Sequence, residues 1–432
     1  MAYVGGLMTD CTITNQIGEN NKLWTRDFTI ITIGSVVSML GNALVGFAMS
    51  LMVLDYTNSP MLYAIYIFLY TLPQLVMPIV SGAILDRFSR KKMIYMLDFL
   101  SATIYLLMGI LIGMGMFNFV VFAGVTFLLG SIESSYMVAY DSFYPLLISE
   151  GCYQKAYSIS SMLETMAMFM VPVATFVYNL IGIAPLMMLN AATFFVAAVF
   201  ETQISHKEEY IDKQKESIKG EDISHTKRML MDVREGFQYL HEEKGLRAVA
   251  LYFFFSCLAG GAMTVMCLPY YKGNFENGEY IYIMVIGMSF VGRAIGGGLH
   301  YRFKLPTKYK YVIALCVYLF IGLAEGTFMF LPINLAMFFS FFTGIGGVTS
   351  YTIRISSTQN YVPDEKKGRF NGALLLLMTS GSLIAQLLSG IMSKWVEARI
   401  VVLIFNLIAV AAAIIIIGGN RKAVAEIYNT DN

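Results

Sequence analysis

Glu133 is followed by Tyr136, Tyr140 and Tyr144, with Ser134, Ser135 and Asp141 beside them. Steps of three and four residues set the acid and the three tyrosines on one face of a helix. The surrounding run, VVFAGVTFLLGSIESSYMVAY, is otherwise almost wholly apolar. An ionisable group in such a run is a functional hypothesis by default, and a carboxyl held away from water can load and release a proton near neutral pH. Glu133 is therefore a candidate proton carrier, as are Asp141 and, further along, Glu164. The alternative for Glu133 is structural: it satisfies a polar group on a neighbouring helix.

Other polar faces share the pattern. Ser38 and Asn42 form one, and Tyr63, Tyr66, Tyr70 and Gln74 another. Ser256, Gly260 and Thr264 follow, then Thr343, Gly347, Ser350, Tyr351 and Arg354. Arg354 either balances Glu133 or Asp141 or reaches back to the membrane surface. Aromatic and weakly polar side chains with one or two acids suit a bulky amphipathic or cationic molecule better than a sugar or an inorganic ion. No nucleophile–base pair stands out, so the residues do not suggest an enzyme. The five cysteines and four histidines show no metal-ligand spacing. No cofactor or metal is expected.

These residues need helices that cross a bilayer. Of 432 residues, 57% are hydrophobic and 14% charged, well short of the quarter charged that a soluble domain carries. Apolar runs of a length to cross the hydrocarbon core fall at roughly 28–54, 60–85, 93–115, 118–144, 157–180 and 183–203. Six more fall at roughly 246–270, 280–300, 310–330, 333–358, 369–393 and 399–419. The expectation is an all-α polytopic membrane protein with twelve spans. Residues 1–27 form an N-terminal tail, not a signal peptide, and 28–203 a first six-helix bundle. Residues 204–245 form a linker, 246–419 a second six-helix bundle and 420–432 a C-terminal tail. Within the linker, Met229, Val233, Phe237 and Leu240 share one helical face, as in an amphipathic helix at the membrane surface.

Charge orients the spans. Of 30 Lys and Arg, 25 fall in the tails and loops of one side, while Lys272, Lys394 and Arg399 fall on the other and Arg293 and Arg354 inside spans. The positive-inside rule then places both termini and the linker in the cytoplasm, with the protein in the plasma or inner membrane. The near-zero net charge gives no reason to expect a nucleic-acid partner. The expected partners are the lipid bilayer and a small amphipathic substrate, bound by a monomer.

One charged stretch needs more than topology. SGAILDRFSRKKM, residues 81–93, joins spans two and three, and positive-inside bias accounts for its bases but not for Asp86. Gly82, Leu85, Asp86, Arg87, Arg90 and Lys91 resemble the loop signature G-x-L-A-D-R-x-G-R-K/R of the major facilitator superfamily. Leu85 and Ser89 replace the usual Ala and Gly. Asp232, Arg234, Glu235, Gly236, Tyr239 and Leu240, then Gly245, Leu246 and Arg247, are similar to the macrolide-efflux-like branch, as are Gly368, Arg369 and Phe370.

The resemblance implies the major facilitator fold, two pseudo-symmetric six-helix bundles around a cavity lined by spans one, four, seven and ten. It implies that Asp86 and its neighbours latch the halves by meeting the start of span eleven near Arg369. Asn42, Tyr70, Gln74, Tyr136, Tyr140, Ser256, Thr264, Tyr351 and Arg354 are the cavity candidates. The antiporter motif of the family is only partly present: MAMFMVPVAT keeps Pro172 without its glycines. The leading expectation is export of amphipathic, macrolide-like or siderophore-like molecules by alternating access, driven by protons. One charge falling through 100 mV supplies roughly 2.3 kcal/mol, a gradient on the order of 50-fold. Uptake of a metabolite and a non-transporting sensor are the alternatives.

Overall fold

The structure, a computed structural model, describes residues 23–85, 88–149, 152, 155–156, 159–160, 163, 166–167, 170–206, 208, 225–303 and 305–429. Every regular element among them is a helix. Among the described residues, eleven helical segments are long and apolar enough to cross a membrane. The shorter Met170–Ile181 belongs to the remaining span, span five. The architecture is the expected one of twelve helices in two bundles of six.

Span one is Arg26–Thr57, opened by Thr25, whose hydroxyl accepts from the Phe28 N–H at 3.2 Å. Span two is two helices, Pro60–Thr71 and Pro73–Leu85. Its break falls at Leu72, before a proline that lacks the N–H a continuous helix needs. Span three is Arg90–Gly113 and span four Phe119–Phe143, capped by Asn118. Span six, Ile183–Thr202, follows span five after Gly182 alone, whose φ of 77° makes the tight reversal possible.

The linker contains the helix His225–Glu242. It packs on spans eleven and seven and on the second helix of span two. Leu240 is buried there, while Phe237 is exposed. Span seven is Lys244–Asn274, span eight Gly278–Arg302 and span nine Lys310–Thr327. Span ten is Ile333–Tyr361, span eleven Asp364–Met392 and span twelve Ala398–Ala412, continued to Gly418. A last helix, Arg421–Tyr428, docks on the second bundle with Tyr428 fully buried.

The halves meet where span two packs on span eleven and span five on span eight. Their polar contacts gather at the end opposite the basic loops. There Lys272 of span seven pairs with Asp55 of span one at 2.8 Å. The Tyr178 hydroxyl donates to the same Asp55 at 2.6 Å. Asn179 donates to the Tyr280 hydroxyl at 3.1 Å, and Phe47 stacks on Tyr282 at 6.2 Å. Gly390 of span eleven sits where any Cβ would collide with Ala64 of span two. At the basic end the linker helix binds span eleven through Arg369–Glu235, 2.7 Å.

Candidate substrate and proton site

Glu133 lies ten residues before the end of span four, deep in the bundle. One turn before it, Gly130 has no side chain, and a Cβ there would collide with the Tyr70 carbonyl oxygen. That close approach of spans two and four lets the Tyr70 hydroxyl donate to Glu133 Oε2. From span one, the Asn42 amide donates to Glu133 Oε1 at 3.0 Å. The Asn42 carbonyl oxygen accepts from the Tyr105 hydroxyl of span three at 3.1 Å. The opposite orientation of the amide would set its carbonyl oxygen against Glu133 Oε1, one acceptor against another. Four spans thus converge on one carboxyl, and each of its oxygens has a donor.

Asn42 and Glu133 stand between two cavities. One, about 420 Å³, adds Gly46, Phe47, Ser50, Tyr70 and Val171. The other, about 370 Å³, opens toward the basic end past Ser35, Ser38, Tyr136, Tyr140 and Tyr144. Both volumes fall in the range of small-molecule pockets, about 300–1,000 Å³. Tyr136 and Tyr140 stack at 6.0 Å, and Tyr140 and Tyr144 at 5.1 Å, so the tyrosine face is a continuous aromatic wall. Asp141 lines the same cavity. Glu133 therefore does both things open to it from sequence: it borders a cavity and binds neighbouring helices.

Two further acids were not singled out by spacing. Asp98 of span three is 1% exposed and Glu201 of span six 0% exposed, and the two side chains are neighbours. Ser38 donates to Asp98 Oδ2 at 3.3 Å, and Tyr136 to Glu201 Oε1 at 3.4 Å. Gly34 of span one makes room, since a Cβ there would stand 3.2 Å from Glu201 Oε1. Asp98 also lines the cavity of about 370 Å³. The default suspicion attached to any acid inside a span was the available signal for both.

A helical bundle of this plan with a polar central site has a known family. The Major Facilitator Superfamily model matches residues 31–331. The chain belongs to the major facilitator superfamily. It is 22% identical over 295 residues to an uncharacterized MFS-type transporter, YkuC, of Bacillus subtilis, covering 65% of this chain and 68% of that one. Among solved structures it resembles the nucleoside transporter NupG, with a TM-score of 0.65 and 13% identity over 91% of this chain and 99% of NupG. It also resembles the POT family transporter PepTSo, with a TM-score of 0.62 and 12% identity over 93% of this chain and 98% of that one. The fucose:proton symporter FucP of E. coli gives a TM-score of 0.57 and 14% identity over 95% of this chain and all of FucP. At such identities the likeness to the solved structures is one of fold. As a superfamily member the chain is a multi-pass membrane transporter rather than an enzyme.

Within this transporter the other expected site residues are dispersed. Gln74, one turn beyond Tyr70, is exposed and lines neither cavity. In the second half, Thr264 is exposed and donates to the Gly260 carbonyl at 2.9 Å, and Ser256 is half-buried. Tyr351 is exposed, while Arg354 is buried with its guanidinium 4.8 Å from the Phe253 ring and 5.6 Å from that of Tyr351. Arg354 does not meet Glu133 or Asp141; no acid pairs with it among the described residues.

Glu164, Asp86 and Arg87 lie outside the described residues. Gly82 sits in the second helix of span two. Beyond Asp86, the start of span three is held by an acid of the linker. Glu208 accepts from the Arg90 N–H at 2.9 Å, the Lys91 N–H at 3.3 Å and the Ser89 hydroxyl. A helix N-terminus favours an anion in that place. The Arg90 side chain donates to the Ser142 carbonyl at 2.8 Å and Lys91 to that of Ile204 at 2.9 Å, tying span three to spans four and six. No group of three or more candidate metal ligands occurs among the described residues.

Proposed function

We propose that this transporter exports small amphipathic molecules, macrolide-like or siderophore-like in character, across the cytoplasmic membrane in exchange for protons. The observation that carries the reading is the carboxyl of Glu133, bound by two other spans and lining two cavities, one with a tyrosine wall. Stacked tyrosines give a flat or cationic ligand a face to bind. Acids near the cavity give it a counter-charge and give protons a place to enter. A related fold runs on protons in FucP, named as a fucose:proton symporter. Both termini and the linker face the cytoplasm, in keeping with the basic residues at that end.

Alternating access needs contacts that break and re-form as the halves rock. We assign the basic-end latch to Gly82, Asp86, Arg87, Arg90 and Lys91 with Arg369. The pair of Arg369 with Glu235 supports a role for the linker helix in that latch.

The test uses cells with and without the protein and two probes, a fluorescent amphipathic cation and a macrolide. The expected result is lower accumulation of at least one probe in expressing cells, abolished by a protonophore. Equal accumulation of both probes, with and without the protonophore, sinks the export reading. Gradient-dependent entry of nucleoside, dipeptide or fucose would replace it with uptake.

A further inference from the structure

Two acidic sites lie within the first bundle, and their hydrogen-bond balances differ. At Glu133 each oxygen has a donor, Asn42 for one and Tyr70 for the other. Asp98 and Glu201 have too few. The Ser38 and Tyr136 hydroxyls reach them at 3.3 and 3.4 Å, long for an O–H···O bond. Glu201 Oε2 is buried and has no donor among the described residues, and the neighbouring acid, Asp98, is a carboxyl like its own. Two ionised carboxylates in contact away from water repel strongly. A proton on one of them removes the repulsion and supplies the missing donor.

Among the described residues the surroundings supply no other remedy. Span one contributes Gly34, Ser35 and Ser38, none of them charged. Span four contributes the hydroxyls of Tyr136 and Tyr140 and, lining the same cavity, the acids Asp141 and Glu133. On span three, Tyr105 lies about two turns deeper and bonds Asn42. Lys91 lies about two turns toward the basic end and is bound to the Ile204 carbonyl. Among the described residues no cation faces the pair.

We propose that Asp98 and Glu201 share a single proton and form the proton-coupling station, while Glu133 is the fixed polar partition between the cavities. This rests on the proton-coupled reading above and changes which acid carries the proton. The two sites are neighbours: Ser38 and Asn42 are one turn apart on span one, about 6 Å. On release the O–H bond of the shared carboxyl breaks, and the proton passes to water in the cavity that Asp98 lines. Two anions then face each other across spans three and six. Their repulsion favours separation of those spans, which reprotonation reverses. Proton occupancy is thereby linked to packing of the bundle beside the tyrosine wall.

Infrared spectroscopy of the purified full-length protein in lipid nanodiscs tests this without any substrate. At neutral pH the wild-type protein should show the C=O band of a protonated carboxyl that Glu201→Gln and Asp98→Asn both remove and Glu133→Gln retains. Gly34→Ala, which crowds Glu201 Oε1 without removing an acid, should shift that band and serves if the other variants fold poorly. A band that survives both substitutions, or vanishes in Glu133→Gln, overturns the assignment. So does a band that sodium ions displace, which would make the pair a sodium site. In reconstituted vesicles, proton-driven movement of an exported probe should fall at least about tenfold in Glu201→Gln. If no probe moves even in the wild type, the export reading fails while the infrared result still decides the shared proton.

Discussion

The two bundles share a six-helix plan but spend their polar residues differently. In the first, acids and amides lie inside, in hydrogen bonds that cross spans one, two, three, four and six and border open cavities. In the second, the buried polar groups are mostly locked. Tyr318 bonds Tyr428 of the terminal helix at 2.9 Å, and Tyr252 stacks on Tyr318 at 4.2 Å. Span eight packs on span ten through glycines, with Gly344 against the Ser289 carbonyl and Gly292 against that of Phe341. The contrast teaches that an evenly repeated architecture can divide its labour. In the proposed cycle the first bundle would hold what exchanges protons and solutes, and the second would be a stiff body for it to rock against.

The largest test of that division is truncation of the acid at the partition. Glu133→Ala leaves the Asn42 amide and Tyr70 hydroxyl without their acceptor, facing two cavities. Leaving a buried donor without its acceptor costs about 1–3 kcal/mol for each group. Transport should therefore fall by roughly a hundredfold, read as the initial rate of probe efflux. Efflux within twofold of wild type (a factor worth about 0.4 kcal/mol) would take Glu133 out of the site.

A packing change in the second bundle should act on stability instead. Gly344→Val drives a branched side chain into the Ser289 carbonyl, where the span-eight backbone has no room to yield. Overpacking of this kind costs about 1–3 kcal/mol. The midpoint of thermal unfolding in detergent should drop, while the choice among probes by the protein that remains folded stays the same. Altered probe selectivity would show that the second bundle also shapes the binding site.

Smaller again is the expected effect of Arg354→Met. The guanidinium lies over aromatic rings, a contact worth about 0.5–2 kcal/mol, and methionine keeps much of the packing. A modest fall in unfolding temperature with unchanged proton dependence supports a structural role. Selective loss of an anionic probe's transport would instead make Arg354 a ligand contact.

What sequence could and could not say follows the same boundary between one span and several. Each span is a local object: its length and apolar run are written in consecutive residues, so the twelve-helix plan was legible. The split of span two was not read, because the run 60–85 is apolar almost throughout and Pro73 alone marks the break. The row Glu133, Tyr136, Tyr140 and Tyr144 was visible because a helical face is a periodic pattern. Asp98 and Glu201 show no such pattern. Each is a single acid in its own span, 103 residues apart along the chain (201 − 98), and they become a pair only when spans three and six pack. Glu208 at the start of span three and Tyr428 against Tyr318 are contacts of the same kind. Gly130 had no local meaning until span two lay against it.

The smallest predicted effect lies where the bundles touch. Lys272 and Asp55 join spans seven and one at the end away from the basic loops, at 2.8 Å and with both side chains partly exposed (22% and 37%). An exposed pair of this sort contributes about 0.2–1 kcal/mol and is weakened by salt. Lys272→Gln keeps a donor but removes the charge, so this end should open more often, by up to about fivefold. The opening can be read by placing one thiol in the seam, Tyr282→Cys opposite Phe47, after replacing the five native cysteines by serine. Labelling by a membrane-impermeant maleimide should then be faster in Lys272→Gln at low salt, with the difference shrinking as salt rises. Rates that match at every ionic strength would mean that the close packing of Gly390 on Ala64 and the bond of Asn179 to Tyr280 hold the seam without the ion pair. In that case the force opposing the first bundle's motion would be packing, and the proposed proton pair between spans three and six would have to work against apolar contact rather than against charge.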